Sequence, residues 1–160
     1  MPRIPEVATA EAFHAFADAG QRLLDLHIGY EDADLYPLDE QVALGVPPEP
    51  ERYRVTKMRW AGPARDPDRS RIVVNDWITL AGIPDQAHEY VVGPRSALAW
   101  LIDRYQVKTD KASGIVNDVN DWGLERGDPR YILDLVKRIV TVSVETVHIV
   151  RGLPELREAE

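Results

Sequence analysis

Cysteine is absent from this 160-residue sequence, which excludes disulfides, thiolate metal ligands and a thiol nucleophile. Long apolar runs are missing too, and no stretch approaches the roughly 20 residues that span a bilayer as a helix. No charged segment followed by an apolar core opens the sequence, so the expectation is a chain without a secretory signal and with a cytoplasmic address. Phosphate-cradling loops are lacking: G-x-x-x-x-G-K-[ST] does not occur, and Gly93 has no second glycine at dinucleotide-binding spacing. His14, His27, His88 and His148 fall outside H-E-x-x-H spacing, and no G-x-S-x-G elbow marks a nucleophilic serine. Pro84-Asp85 and Glu89 suggest paired nuclease carboxylates, but Tyr90 and Val91 stand where an assisting lysine is required. The expectation is a chain with no catalytic residue, no cofactor and no metal ligand set.

What is present is ordinary for one globular domain, with 44% hydrophobic and 29% charged residues. The net charge of -8 opposes nucleic-acid binding, which draws on basic surface to displace counterions. Its distribution weakens that objection. Residues 1–52 hold eleven acidic side chains against three basic ones, whereas residues 53–160 hold sixteen of each. From Arg52 to Arg71 seven basic side chains, Arg54, Lys57 and Arg59 among them, face only Asp66 and Asp68. Such a run reads either as a solvated hairpin face or as a phosphate-binding strip.

Periodicity divides the chain into a helix, a connector and a mixed region, all within one domain spanning residues 1–160. Thr9 as N-cap, the spacing of Phe13, Phe16, Ala17, Gly20, Leu24 and His27, and Gly29 as terminator predict an amphipathic helix within residues 1–30. Residues 31–52 are acidic and then proline-rich at Pro47, Pro48 and Pro50, the pattern of an extended connector. In residues 53–160, Tyr53–Trp60, Arg71–Val74, Trp77–Leu80 and Glu89–Val92 carry strand patterns, with Asn75-Asp76 as a hairpin turn. Pro94 suits the first turn of a helix reaching Tyr105. A second helix begins after Asp128-Pro129 and stops at Gly152 and Pro154. Val140, Val142 and Val144 alternate with polar residues as in a strand, but the stretch between Pro129 and Gly152 lacks both glycine and proline and is far longer than a strand. The fold class predicted is α+β: a small antiparallel sheet with three main helices, including a long C-terminal one.

Lys108–Asp121, rich in Asp, Asn, Ser and Gly, is predicted as a long ordered loop with Trp122 anchoring its far end. Asp118, Asn120 and Asp121 could offer oxygens to a hard cation, but their order does not match a calcium loop, and side-chain to backbone bonding accounts for them better. Two readings stay open. The polar residues hold the loop in shape, or the loop is held rigid so that Lys108 and Lys111 project toward a partner.

Three runs carry a family resemblance: Glu89-Tyr90-Val91-Val92 to Trp100; Asp103-Arg104-Tyr105-Gln106-Val107-Lys108-Thr109-Asp110-Lys111; and Ser113-Gly114-Ile115-Val116-Asn117-Asp118. Together they resemble the C-terminal specificity region of type ISP restriction-modification enzymes and related helicase-like proteins. The front, Arg3-Ile4-Pro5 and Phe13 to His27, and the end, Asp128 to Ile132 and Ser143 to Val147, resemble it too. Gly93-Pro94 replaces the family's Asn-Gly before Arg95, and Val119 replaces its proline after Asn117-Asp118. The resemblance implies a DNA-recognition module without catalysis of its own, partnered by double-stranded DNA and by a methyltransferase or helicase-translocase segment or subunit, with no membrane partner. On that reading Arg54, Lys57 and Arg59 hold phosphates, Lys108, Thr109, Lys111 and Asn117 stand nearest the bases, and Arg95 completes the DNA-binding set. The alternative is a protein-interaction module in which the Phe13–His27 and Asp128–Arg151 helices dock onto such a partner.

Overall fold

A computed structural model describes Val7 and residues 9–156; Arg3-Ile4-Pro5 lies outside the described residues. The first helix, α1 (Ala10–Ile28), starts where predicted: Thr9 Oγ1 accepts from the Ala12 N–H at 3.1 Å, and the Gly29 N–H donates to the Asp25 carbonyl at 2.9 Å. The buried face is not the predicted stripe. Ala19 is the buried residue of α1, while Phe13, Leu24 and Ile28 are 60%, 52% and 74% exposed. This helix packs chiefly against the C-terminal helix, with His27 also stacked on the Tyr90 ring at 5.4 Å, and the small Ala19 side chain suits such a close approach.

Strands β1 (Asp39–Val42), β2 (Arg59–Ala61), β3 (Asp68–Val73) and β4 (Ile78–Ala81) form an antiparallel sheet in the order β1-β4-β3-β2. The β3–β4 turn falls at Asn75-Asp76 as read from the sequence. Asn75 Oδ1 accepts from the Trp77 and Ile78 N–H groups at 2.9 and 2.8 Å, and its amide donates to the Arg52 and Arg54 carbonyls at 2.9 and 3.1 Å. One side chain thus closes the turn and ties the preceding segment to it. Strand β1 arises inside the predicted connector. Glu40 holds it to the C-terminal helix through Lys137 at 2.5 Å and Arg130 at 2.7 Å.

Further along come a hairpin, β5 (Val91–Val92) with β6 (Arg95–Ser96), and helix α2 (Ala97–Arg104). Gly93-Pro94 is the hairpin turn, with Gly93 at φ +64°, so Pro94 does not open the helix. Ser96 caps α2 by accepting from the Ala99 N–H at 3.2 Å. A second hairpin, β7 (Lys108–Thr109) with β8 (Val116–Asn117), and a short helix α3 (Asp121–Glu125) lead to α4 (Tyr131–Arg151), the longest helix.

Helix α4 wins over the strand-like alternation because helical spacing buries one apolar stripe in the core, and its hydroxyls are satisfied within the helix or beside it. Ser143 Oγ, fully buried, donates to the Ile139 carbonyl at 2.6 Å, and Thr141 Oγ1 donates to the Asp34 carbonyl at 2.8 Å. Ile132, Leu133, Leu135, Val136 and Val140 of α4 join Leu98, Leu101 and Ile102 of α2 and Ile72, Val74, Ile78 and Leu80 around the sheet in one core. The observed class is the predicted one: α+β, a small antiparallel sheet and three main helices.

Candidate nucleic-acid interface

The segment predicted as strand Tyr53–Trp60 becomes regular only at Arg59; before that, it is held by the polar loop that follows α2. Asn120, buried, accepts from the Val55 N–H and donates to the Val55 carbonyl, both at 2.8 Å, so a side-chain amide does the work of a neighbouring strand. The Val107 N–H donates to the Thr56 carbonyl at 3.1 Å, and Lys57 forms a bridge with Gln106. Arg54 is ion-paired with Asp118. Burial disfavours the charged form of Asp118, but the Asn120 backbone N–H at 3.0 Å, the Asn120 amide at 2.6 Å and Arg54 outweigh it and hold its carboxyl below the ordinary range.

Beyond this fastening the β7–β8 hairpin projects with a defined shape. Lys108 faces Asn117 and Thr109 faces Val116 across the ladder. At the tip the Asp110 carboxylate accepts from the Ala112 N–H at 3.0 Å and from the Ser113 N–H and hydroxyl at 2.7 and 2.8 Å; these bonds hold its pKa below the usual range. Gly114, at φ +72°, donates to the Asp110 carbonyl at 2.9 Å. The predicted long loop is therefore an ordered hairpin. Its anchor is Asn120 and not Trp122, which is 49% exposed with the Arg126 guanidinium 3.3 Å over its ring.

Lys57, Arg59, Arg95, Lys108, Thr109, Lys111 and Asn117 are exposed, and Arg54 is half-buried. Asp103, near the end of α2, gathers two of them: its backbone carbonyl accepts from Lys108 Nζ at 2.9 Å, and its carboxylate stands 3.9 Å from Arg95. Lys57 joins this group through Gln106, two residues before Lys108. Arg59 lies on the edge strand β2. Arg54 is brought alongside but spends its charge on Asp118. Sequence reasoning passed over Ile115 and Val116, which are 67% and 56% exposed on the same hairpin. Two adjacent apolar side chains in an otherwise polar segment were the available signal.

Among the described residues no group of three or more His, Cys, Asp or Glu side chains could hold a metal ion, and no helix is long and apolar enough to cross a membrane. Fold and surface define a small α+β module whose distinctive feature is a rigid polar hairpin beside basic side chains. The chain belongs to the family of Type ISP C-terminal specificity domains, which its residues 1–135 match. Among solved structures it is similar to the ATP-dependent Type ISP restriction-modification enzyme LlaBIII bound to DNA, with 37% identity, a TM-score of 0.80, and coverage of 98% of this chain and 9% of that one. A nuclease-deletion mutant of the Type ISP restriction-modification enzyme LlaGI, in complex with a DNA substrate mimic, shares 35% identity at a TM-score of 0.80, covering 100% of this chain and 14% of that one. The DrdV–DNA complex shares 32% identity at a TM-score of 0.69 over 91% of this chain and 15% of that one. No curated protein matches the chain. This chain thus spans a small fraction of the length of the solved proteins it resembles.

Proposed function

We propose that this chain is the DNA target-recognition module of a restriction-modification or helicase-like system, acting on double-stranded DNA without catalysis of its own. The observation that carries the reading is the β7–β8 hairpin, clamped through Asn120 and Asp118 onto the segment bearing Arg54, Lys57 and Arg59, in a chain of a specificity-domain family. Similar structures were determined with DNA, which supports the same reading. Lys57, Arg59 and Arg95 hold backbone phosphates, and Arg54, paired with Asp118, sets the hairpin's position and lends its field. Lys108, Thr109, Lys111 and Asn117 stand nearest the bases, where lysine, threonine and amide groups read acceptor and donor patterns in the major groove. Methyl transfer, translocation and cleavage belong to a methyltransferase or helicase-translocase segment or subunit outside these residues, and the setting is cytoplasmic.

The test is salt-titrated binding of the chain to a library of duplexes. Loss of a phosphate contact, as in Lys57→Ala, is expected to weaken binding to all sequences and flatten the salt slope by about one unit. Loss of a base contact, as in Asn117→Ala, is expected to relax specificity at one position at a cost of about 1–3 kcal/mol. A folded chain with no affinity for any duplex at low salt refutes direct recognition.

The exposed apolar face of α1 favours a second, compatible reading: docking onto another part of a longer protein. Phe13, Leu24 and Ile28 project from a helix whose other face already meets α4. Helix α4 itself has eleven buried residues and little apolar surface left to offer. The docking reading therefore rests on α1, and Phe13→Ser with Leu24→Ser is expected to abolish co-purification with the methyltransferase segment while leaving DNA binding unchanged.

A further inference from the structure

Beside this surface lies a cleft of about 210 Å³ between the sheet, the turn carrying His88 and the β5–β6 hairpin. Two cations line it from separate elements, Arg69 on β3 and Arg95 on β6, and no carboxylate is among its lining residues. Asp103 pairs loosely with Arg95 at 3.9 Å from outside the cleft and leaves that side chain 52% exposed, so the lining itself carries two positive charges and no negative one. Aromatic groups line it as well, with the Trp60 indole and the His88 imidazole meeting edge to face at 5.3 Å between centroids.

The His88 ring has one assignable tautomer. Its Nε2 lies 3.1 Å from the Arg69 carbonyl, which only accepts, so Nε2 carries the proton and Nδ1 presents a lone pair. That Nδ1 is buried without a hydrogen-bond partner. Burial lowers the His88 pKa, which keeps the ring neutral at neutral pH. Ser96 adds a hydroxyl at the rim.

Cations without carboxylates select an anion, and an aromatic wall selects a planar ring; the two together are the chemistry of a nucleotide. The volume falls below the roughly 300–1,000 Å³ of sites that enclose drug-sized ligands, so the cleft admits a base and part of its phosphate group but not a duplex. We propose that this cleft takes one nucleotide unit of a DNA strand that has left the base stack, its phosphate between Arg69 and Arg95 and its base against Trp60. This rests on the DNA-recognition reading and adds to it a subsite for unpaired DNA. Arginine and aromatic side chains are the groups on which unstacked bases are held, because every base offers a π-face.

The experiment measures the affinity of the full chain for a paired duplex, for the same duplex with one extra unpaired nucleotide, and for deoxyadenosine monophosphate followed by tryptophan fluorescence. The unpaired duplex is expected to bind about tenfold more tightly than the paired one, the gain of one stacked base. Arg69→Ala, an exposed position whose folding is checked by circular dichroism, is expected to erase that preference while leaving the paired duplex bound as before. Equal affinity of the wild type for both duplexes overturns the subsite while the DNA-recognition reading stands. A preference that Arg69→Ala retains puts the unpaired nucleotide elsewhere and equally overturns the subsite. If neither duplex binds, the recognition reading fails, and the mononucleotide decides the cleft. Quenching that Arg69→Ala abolishes supports a nucleotide site filled from free nucleotide, and absence of quenching overturns it.

Discussion

Asn120 is the residue that fastens the candidate interface to the body of the fold. Its amide satisfies both backbone groups of Val55, and its own backbone and amide N–H groups engage Asp118, which in turn holds Arg54. Replacing it by alanine leaves a buried N–H and a buried carbonyl without partners, each costing about 1–3 kcal/mol. Asn120→Ala is therefore expected to lower stability by about 2–6 kcal/mol in urea unfolding, and to weaken DNA binding by freeing the hairpin. Asp118 has a pH signature. Its carboxyl, like that of Glu40, is held below its ordinary range; for Glu40 burial acts the other way but is outweighed by Arg130 and Lys137. A depressed carboxylate stabilises the fold above its unfolded pKa of about 4, and that contribution disappears as pH falls through the lower folded value. Stability is expected to fall steeply below about pH 4, and the slope to be shallower in Asp118→Asn, measured by denaturation across pH.

At the scale of elements, the β7–β8 hairpin and α4 show how differently order is achieved. The hairpin has almost no buried apolar surface; Ile115 and Val116 face outward, and its shape comes from Asp110, Ser113 and Gly114. A Cβ at Gly114 meets no atom within 4 Å, so the cost of Gly114→Ala is conformational, from φ +72°. That cost is about 1 kcal/mol of hairpin population, read as faster amide exchange at Asp110 and Ile115 with the core unchanged. Helix α4 is ordered by burial instead. Leu133, 1% exposed, should cost about 2–5 kcal/mol when truncated to alanine, measured by thermal or urea unfolding. Helix α1 lies between these cases, with a sound N-cap but only Ala19 buried. Its predicted stripe mixed residues from the buried and open sides, because a helix packed chiefly on one other helix needs only a narrow seam.

For the whole molecule, charge segregation decides how a chain of net charge -8 could approach a polyanion. The acidic excess lies in residues 1–52, while Lys57, Arg95 and Lys108 gather around the end of α2. On the proposed reading the basic cluster attracts a duplex while the acidic remainder of the chain repels it, which orients the chain before contact. Both the attraction and the orientation are screened by salt, with a Debye length of about 8 Å at physiological ionic strength.

Elements built from local signals were legible without the fold. Thr9 as a cap, Asn75-Asp76 as a turn and the uninterrupted stretch of α4 each act through neighbours in sequence, so residue type and spacing suffice. The family resemblance, carried by contiguous runs such as Arg104–Lys111, was legible for the same reason. Strand β1 was hidden because its stability comes from pairing with β4 and from Glu40 reaching Lys137, 97 residues away. The pairing of Arg54 with Asp118 and the grip of Asn120 on Val55 join segments more than 60 residues apart, which no local pattern encodes. The sequence by itself determined the three main helices, the Asn75-Asp76 turn and which residues carry charge. Only the tertiary structure decided which charges are spent inside the molecule, as at Arg54 and Asp118, and which stay exposed, because that depends on contacts made after distant segments have packed.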